Sequence, residues 1–148
     1  MKGLKILTAV TLAAAADLAA AQCEFEIEVG DALSYSTNEM VVGADCESVS
    51  VTIKHTGKLP AAAMGHNWVL SKADDFQAIT SAAAGAGMAN DYVPDSDAVI
   101  AHTGLVGGGQ SDTISFSTEG LSGDGFVFFC SFPGHWSVMK GELKFEQA

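Results

Sequence analysis

The sequence predicts an all-β fold, an antiparallel sandwich or barrel of about eight short strands with one helical insertion. Segments 24–29 and 49–54 alternate between apolar and polar residues, which is typical of strands with one buried face. Glycine-containing breaks separate these and other apolar segments, and the chain has 16 glycines but only 3 prolines. Several short strands divided by turn signals are the pattern of a sandwich or a barrel.

The candidate strands follow one another along the whole chain from residue 24. In 24–29 the apolar residues alternate with three glutamates, and in 49–54 they alternate with serine, threonine and lysine. The other strand predictions are 34–36, 40–42, 67–70, 99–101, 113–117, 126–130 and 142–146. With 148 residues, of which 48% are hydrophobic, the chain is long enough to bury the core of one domain.

An alanine-rich stretch near residues 74–87 interrupts the strand pattern and predicts a helix. Asp74 or Asp75 can cap its N-terminus, and Phe76 and Ile79 are three residues apart, so that they share one face. Glycines at positions 85 and 87 would end the helix. We expect it to pack on the outside of the sandwich, after the strand at 67–70.

The N-terminus has the layout of an export signal. Two lysines precede an apolar run of 11 residues, 6–16, and small residues follow it. This run is too short for a bilayer, which needs about 20 apolar residues, and no later segment is suited to membrane insertion. We predict that residues 1–20 are a cleaved signal peptide and that 21–148 form the mature domain; cleavage after Ala21 is the alternative.

The charge balance is strongly acidic. The chain has 18 acidic residues against 7 lysines and no arginine, which gives a formal net charge of −11. Removal of residues 1–20 takes away two lysines and one aspartate, so the mature chain would carry −12. Because such a surface repels phosphate groups and anionic lipids, nucleic acid is not expected as a partner.

The positions of the three cysteines indicate one disulfide and one remaining thiol. Cys23 and Cys46 flank the first strand segments, whereas Cys130 lies in the most apolar stretch of the mature chain. An oxidising compartment favours a disulfide between Cys23 and Cys46. The thiol of Cys130 then has to be protected, either by burial or by a metal.

Two segments contain residue types that bind metals. One holds Cys130, His135 and Met139 within ten residues, and the other holds His66. A thiolate, two imidazoles and a thioether are the ligand set of a type 1 copper site, because Cu(I) prefers sulfur and Cu(II) accepts imidazole nitrogen. Each of these residues alone is more often part of a core, but their combination and spacing indicate copper.

With these motifs the sequence resembles the azurins, bacterial blue-copper proteins of the cupredoxin family. The resemblance covers essentially the whole mature chain and is most specific in MGHNWVL at 64–70, VIAHT at 99–103 and FFCSFPGH at 128–135. The four residues between Cys130 and His135 match azurins, whereas plastocyanin-like and pseudoazurin-like loops are shorter there. The resemblance implies a Greek-key, cupredoxin-like sandwich, and it favours the cleavage site after residue 20.

The resemblance also implies a role for each residue of the metal site. His66, Cys130 and His135 would be the trigonal copper ligands, and Met139 would be a long axial ligand. The carbonyl oxygen of Gly65 would approach the metal from the opposite side, and glycine suits that position because its backbone can come close.

The same resemblance assigns roles around the ligands. The side chain of Asn67 would tie the two ligand segments together, and the backbone N–H of Phe132 would donate to the Cys130 sulfur and so tune the potential. His55 and His102 match family histidines but do not fall in ligand positions.

An apolar patch is expected around the edge of His135. Its members, by resemblance, are Leu33, Leu59, Ala63 and Met64, together with Phe132, Pro133 and Gly134 of the ligand loop. The sequence departs from the familiar azurin pattern at Trp136, where a small residue is common. We expect Trp136 to enlarge the patch, which would be a contact surface for other proteins.

The function implied by the resemblance is that of a periplasmic one-electron carrier. Because protein atoms would fill every coordination position, no substrate could bind the metal, and we expect no enzymatic activity. Electrons would pass through the apolar patch to or from redox proteins such as c-type cytochromes or denitrification and respiratory enzymes. We expect a monomer with one copper ion per chain.

Two other classes of function use the same residue types. A copper-holding or copper-delivery protein is one, although delivery sites tend to be exposed and rich in methionine or histidine; zinc also fits two histidines and one cysteine. An enzyme is the other, either a thiol hydrolase with Cys130 and His135 or a copper oxidase. No oxyanion motif supports the first, and too few histidines remain for the second copper centre of an oxidase.

Overall fold

The computed structural model describes residues 20–147, which contain eight strands and two α-helices. The strands are β1 (Glu24–Val29), β2 (Glu39–Val42), β3 (Ser48–His55), β4 (Val69–Lys72), β5 (Ala101–His102), β6 (Ser111–Ser117), β7 (Gly123–Phe129) and β8 (Lys140–Phe145). The helices are α1 (Ala61–Met64) and α2 (Phe76–Ala86). The all-β prediction with one helical insertion is confirmed. Residues 1–19 of the predicted signal peptide lie outside the described part.

The strands form two sheets that enclose the core between them. One sheet has the order β1-β3-β6 and the other the order β2-β8-β7-β4-β5. Two neighbouring pairs, β1 with β3 and β2 with β8, are parallel, and the other pairs are antiparallel. The antiparallel arrangement expected from the turn signals therefore does not hold for these two pairs, although the sandwich itself is confirmed. Between β1 and β3 the chain crosses to β2 in the opposite sheet, so it returns in its original direction.

The segment predicted as a strand at 34–36 is a bend between β1 and β2. The N–H of Ser36 donates to the carbonyl of Glu28 over 2.9 Å, and the Ser36 hydroxyl accepts from the N–H of Glu28 over 3.0 Å. Ser36 thus bonds both the N–H and the carbonyl of Glu28, the first of these through its side chain. Residues 34–36 therefore do not pair with β1 as a regular strand. The strand predicted at 99–101 is shifted to β5, and the one predicted at 67–70 is shifted to β4.

Helix α2 lies between β4 and β5, as expected for the insertion near 74–87. The predicted capping by Asp74 or Asp75 is wrong, because a 3-10 turn, Ala73–Asp75, runs directly into the helix. Asp75 has helical backbone angles and its side chain makes no capping hydrogen bond. Gly87, with a φ of 76°, ends the helix, whereas the glycine at position 85 lies within it.

Apolar side chains pack in two layers. The inner cluster lies between the sheets and includes Trp68, Phe128 and Leu143, while the outer cluster joins Val69 and Phe129 to α2. Successive side chains of a strand point to opposite faces, so adjacent residues of β7 serve different clusters. Among the described residues, none of the helices has the length and apolar character that a membrane span requires.

The predicted disulfide between Cys23 and Cys46 is confirmed. Cys23 immediately precedes β1 and Cys46 lies two residues before β3, and their Cα atoms are 5.5 Å apart. The bridge fastens the beginning of β1 beside the beginning of β3, and a loop of this size stabilises a fold by about 3 kcal/mol. Cys130 is free and buried.

Candidate metal centre

Three predicted ligands meet where β1, β3 and β7 finish, which we call the site end of the sandwich. Cys130 follows β7 directly, His135 lies in the loop before β8, and His66 lies between α1 and β4. The Sγ atom of Cys130 is 3.8 Å from Nδ1 of His66 and 3.6 Å from Nδ1 of His135, and all three ligand atoms lie within 4.8 Å of one another. Ligands of one ion, bound at about 2.0 to 2.3 Å, have separations of this size.

The ligand loop between β7 and β8 is closed by its own backbone. The N–H of His135 donates to Phe132 O over 3.0 Å, the N–H of Met139 donates to His135 O over 2.9 Å, and the N–H of Cys130 donates to Met139 O over 3.1 Å. Gly134 has a φ of 85°, a left-handed conformation that glycine adopts without strain. These turns bring Met139, which is fully buried, back beside Cys130.

Burial keeps the three ligand side chains neutral in the metal-free protein. It raises the pKa of Cys130 to about 11, although N–H groups of Asn67 and Phe132 donate to the sulfur and oppose the rise. Burial, with a smaller contribution from the neighbouring His66, lowers the pKa of His135 to about 4. Burial also lowers the pKa of His66. The imidazole lone pairs are therefore free at neutral pH, and binding of a metal would displace the thiol proton.

The orientation of His66 is fixed by a hydrogen bond to a neighbouring loop. Its Nε2 lies 2.8 Å from the carbonyl oxygen of Gly30, and because a carbonyl can only accept, Nε2 carries the proton. The lone pair of Nδ1 then faces Cys130, which is the arrangement that a metal requires. Gly30 was not found from the sequence, since this contact depends on β1 lying next to β3.

His55 lies beside the site but is not a ligand. Its ring stacks on His66 at a centroid distance of 5.3 Å. Its Nδ1 accepts from the N–H of Gly57 over 3.1 Å, and its Nε2 donates to the carbonyl of Met64 over 2.9 Å. Both ring nitrogens are thus occupied within the protein. His102 is exposed on β5, outside the ligand cluster.

Asn67 joins the two ligand segments, as the resemblance implied. Its Oδ1 accepts from the N–H of Ser131 and its Nδ2 donates to the Ser131 hydroxyl, both over 2.8 Å. Nδ2 also donates to the carbonyl of Asp91 over 2.8 Å. Because Asn67 follows His66 and Ser131 follows Cys130, these bonds fix the positions of the two ligands relative to each other.

Gly65 occupies a position that no other residue fits. A Cβ atom there would lie 2.4 Å from the carbonyl oxygen of Ala61 in α1 and 2.9 Å from the side chain of Leu105. The glycine therefore allows the end of α1 to pack against the loop that carries Leu105. His66 is the next residue of the chain, so this packing helps to position it.

Apolar side chains at the site end are exposed. Leu33 is 38% exposed and Leu59 is 41% exposed, and Ala63 is exposed too, as predicted for the patch. Val138, 63% exposed, was missed although it lies in the ligand loop. Trp136 is half-buried and packs against the outer cluster, so only part of its ring can extend the patch.

The donor set fits a type 1 copper ion. One thiolate, two imidazoles with oriented lone pairs and a buried thioether are soft and borderline ligands in a closed pocket. Hydrogen bonds to the sulfur and to the second nitrogen of His66 complete the surroundings of such a centre.

Comparisons with known proteins agree with this geometry. Residues 21–146 match the family described as copper binding proteins, plastocyanin/azurin family. The azurin of Achromobacter denitrificans is 49% identical over 140 residues, covering 93% of this chain and 94% of that protein. The azurin of Pseudomonas aeruginosa is 42% identical over 144 residues, covering 95% and 97%.

A solved structure also matches, that of the azurin Az-iso2 from Methylomonas sp. strain J. It has a TM-score of 0.81 and 40% sequence identity, and the match covers 86% of this chain and all of that one. The chain therefore belongs to the azurins of the plastocyanin/azurin copper-binding family, which are electron carriers and not enzymes, and its type 1 copper site consists of His66, Cys130, His135 and Met139.

Proposed function

We propose that this azurin exchanges electrons with other redox proteins through a docking surface at the site end. The docking surface consists of Leu33, Leu59, Ala63, Met64 and Val138 around the edge of His135. The supporting observation is the exposure of large apolar side chains there, since isolated apolar patches on a soluble protein are often contact sites. Bound copper supplies the one-electron couple Cu(II)/Cu(I).

The protein restrains the copper ligands and allows a redox partner to approach the edge of His135. Cys130 and His66 are completely buried, and His135 is 6% exposed, so the imidazole of His135 is the ligand nearest to solvent. The ring of Phe132 stacks on His135 at 4.4 Å and restrains it. A partner that covers the loop excludes water from this edge and gives the electron a short path.

The chemistry of the docking surface favours partners with an apolar face. Residues 131–139 carry no charged side chain, although the mature chain would have a net charge of −12. Charge then governs long-range approach, and apolar contact governs the docked complex. We propose c-type cytochromes or denitrification and respiratory enzymes as partners, and a monomer as the active form.

Azurins are periplasmic, and we propose the same location here. Residues 1–20 would be the signal peptide that is removed on export, and residues 21–148 would be the mature protein. An oxidising compartment agrees with the Cys23–Cys46 disulfide. We also propose the carbonyl oxygen of Gly65 as a fifth, weak contact of the metal, which its place next to His66 supports.

Lysine substitutions test the docking surface. Leu59→Lys and Val138→Lys should each slow electron self-exchange at least about tenfold, because burying one unpaired ammonium group costs more than about 1.4 kcal/mol. Ser115→Lys is the control, since Ser115 is exposed on β6 away from the site end and the added charge is the same. Rates would be measured by NMR line broadening at two ionic strengths. Equal slowing by all three substitutions would contradict the docking surface.

A further inference from the structure

The segment after α2 contains an unusual backbone feature. Within residues 20–147, Asp91 and Tyr92 are the only non-glycine residues with a positive φ, 55° in each case. Aspartate tolerates this left-handed region, but a bulky tyrosine adopts it rarely. Residues in such conformations persist only where the surrounding structure holds them, and they are concentrated at functional sites.

Hydrogen bonds hold this conformation from both sides. The N–H of Asp91 donates to Met88 O and the N–H of Tyr92 donates to Gly87 O, both over 3.0 Å. The carboxylate Oδ1 of Asp91 accepts from the N–H of Leu105 over 2.9 Å, which fastens the segment to the chain after β5. The segment is therefore fixed at its own turn and at a neighbouring loop.

The two strained residues reach the two sides of the metal site. The carbonyl oxygen of Asp91 accepts from Nδ2 of Asn67 over 2.8 Å. The ring of Tyr92 meets the ring of Phe132 edge to face, with centroids 5.1 Å apart and planes at 67°. Asn67 and Phe132 are the same two residues whose backbone N–H groups donate to the Cys130 sulfur.

We propose that Asp91 and Tyr92 are positioning residues that hold Asn67 and Phe132 at the Cys130 sulfur and thereby set the reduction potential. Asp91 acts on one sulfur hydrogen bond through the side chain of Asn67, and Tyr92 acts on the other through the ring of Phe132. Because both residues have a left-handed backbone, Asp91 can contact Asn67 while the adjacent Tyr92 contacts Phe132. This inference rests on the copper site but not on the docking surface or on the partners proposed above.

The direction of the effect follows from the charge on sulfur. N–H donors withdraw electron density from the thiolate, which weakens its preference for Cu(II). When the segment is loosened, both donors move away from the sulfur, the thiolate becomes a stronger donor, and the reduction potential falls. The amide protons of Asn67 and Phe132 should shift upfield at the same time, because their hydrogen bonds weaken.

Two pairs of variants test the inference in the copper-loaded protein. Asp91→Ala removes the acceptor for Leu105 and tolerates the left-handed region less well, whereas Asp91→Asn keeps an oxygen acceptor and tolerates it. Tyr92→Leu removes the aromatic contact, whereas Tyr92→Phe keeps it. We expect Asp91→Ala and Tyr92→Leu to lower the potential and to shift both amide signals of the Cu(I) form. The two conservative variants should match the parent.

Phe145→Leu is the control for a general loss of stability. It removes an edge-to-face contact of the same kind, with Phe126 at 5.0 Å, and Phe145 itself pairs with the first residue of β7, away from the metal site. It should lower the melting temperature and leave the potential unchanged. If Asp91→Ala and Tyr92→Leu behaved like this control, with parental potential and amide shifts, the segment would be a structural support only. Tyr92→Leu decides the matter alone if Asp91→Ala does not fold.

Discussion

At the far end of the sandwich, where β1 and β3 begin, a disulfide and the aromatic pair Phe126–Phe145 hold the chain, whereas buried polar side chains occupy the site end. The buried polar residues of the site end are His55, His66, Asn67, Ser131 and His135. Burial of a polar group is unfavourable unless it is hydrogen-bonded, and cross-links and apolar contacts carry no such cost. The far end therefore supplies stability, while the site end supplies geometry.

This contrast predicts that substitutions at the two ends change different quantities. Changes at the far end should lower the free energy of unfolding and leave the copper spectrum intact. Changes at the site end should alter the spectrum or the potential, with an effect on stability that depends on how many hydrogen bonds are lost.

Cys130→Ser should have the largest effect on the site. The intense visible absorption of a type 1 centre comes from charge transfer between thiolate and copper, and a hydroxyl cannot supply it. Serine is smaller than cysteine and fits the same buried position, so far-UV circular dichroism should remain that of the parent. A variant that kept the intense visible band would contradict the assignment of Cys130 as the thiolate ligand.

Replacement of Cys23 and Cys46 by serine should have the largest effect on stability. Loss of the cross-link should lower the free energy of unfolding by about 3 kcal/mol, as measured by denaturant titration of the copper-loaded protein. The visible spectrum should not change, because both cysteines lie at the far end. A shifted spectrum would show that the far end influences the copper site, and it would contradict the division of roles between the two ends.

Asn67→Leu should affect both quantities. It removes the bonds to Ser131 and Asp91 and leaves the buried N–H of Ser131 without its acceptor. The expected cost is about 2 to 3 kcal/mol in the free energy of unfolding. The copper hyperfine splitting should also change, because the two ligand segments lose their tie. A parental hyperfine splitting in Asn67→Leu would mean that this tie does not determine the copper geometry.

Met139→Leu should have the smallest effect on the fold. The two side chains have similar volumes, so the stability should change by less than about 1.5 kcal/mol. Copper should stay bound, and the reduction potential should rise, because the more highly charged Cu(II) loses more than Cu(I) when one donor is removed. An unchanged or lower potential by cyclic voltammetry would mean that Met139 is not the axial ligand.

The local half of the site could be predicted from the sequence. Cys130, His135 and Met139 lie in one loop of ten residues, so their spacing alone brings them together. The contacts of His66 with Gly30 and of Asn67 with Asp91 join segments 36 and 24 residues apart. They depend on the parallel pairing of β1 with β3 and on a left-handed backbone, and neither leaves a periodic signal in the sequence.

The fold shows the same division. Alternation predicted β1 and β3, but it does not state the direction in which two strands pair, and the parallel pairs were missed for that reason. Helix α1 was missed because four residues after a proline are too few for a helical period.

The most direct test of the copper site is a titration of the metal-free protein with Cu(II), followed by visible absorption and electron paramagnetic resonance. His66, Cys130, His135 and Met139 predict an intense blue band that saturates at about one copper ion per chain, with a narrow copper hyperfine splitting. A weak visible band with a wide splitting would mean that copper is bound by nitrogen and oxygen ligands without the Cys130 thiolate. That result would contradict the type 1 site.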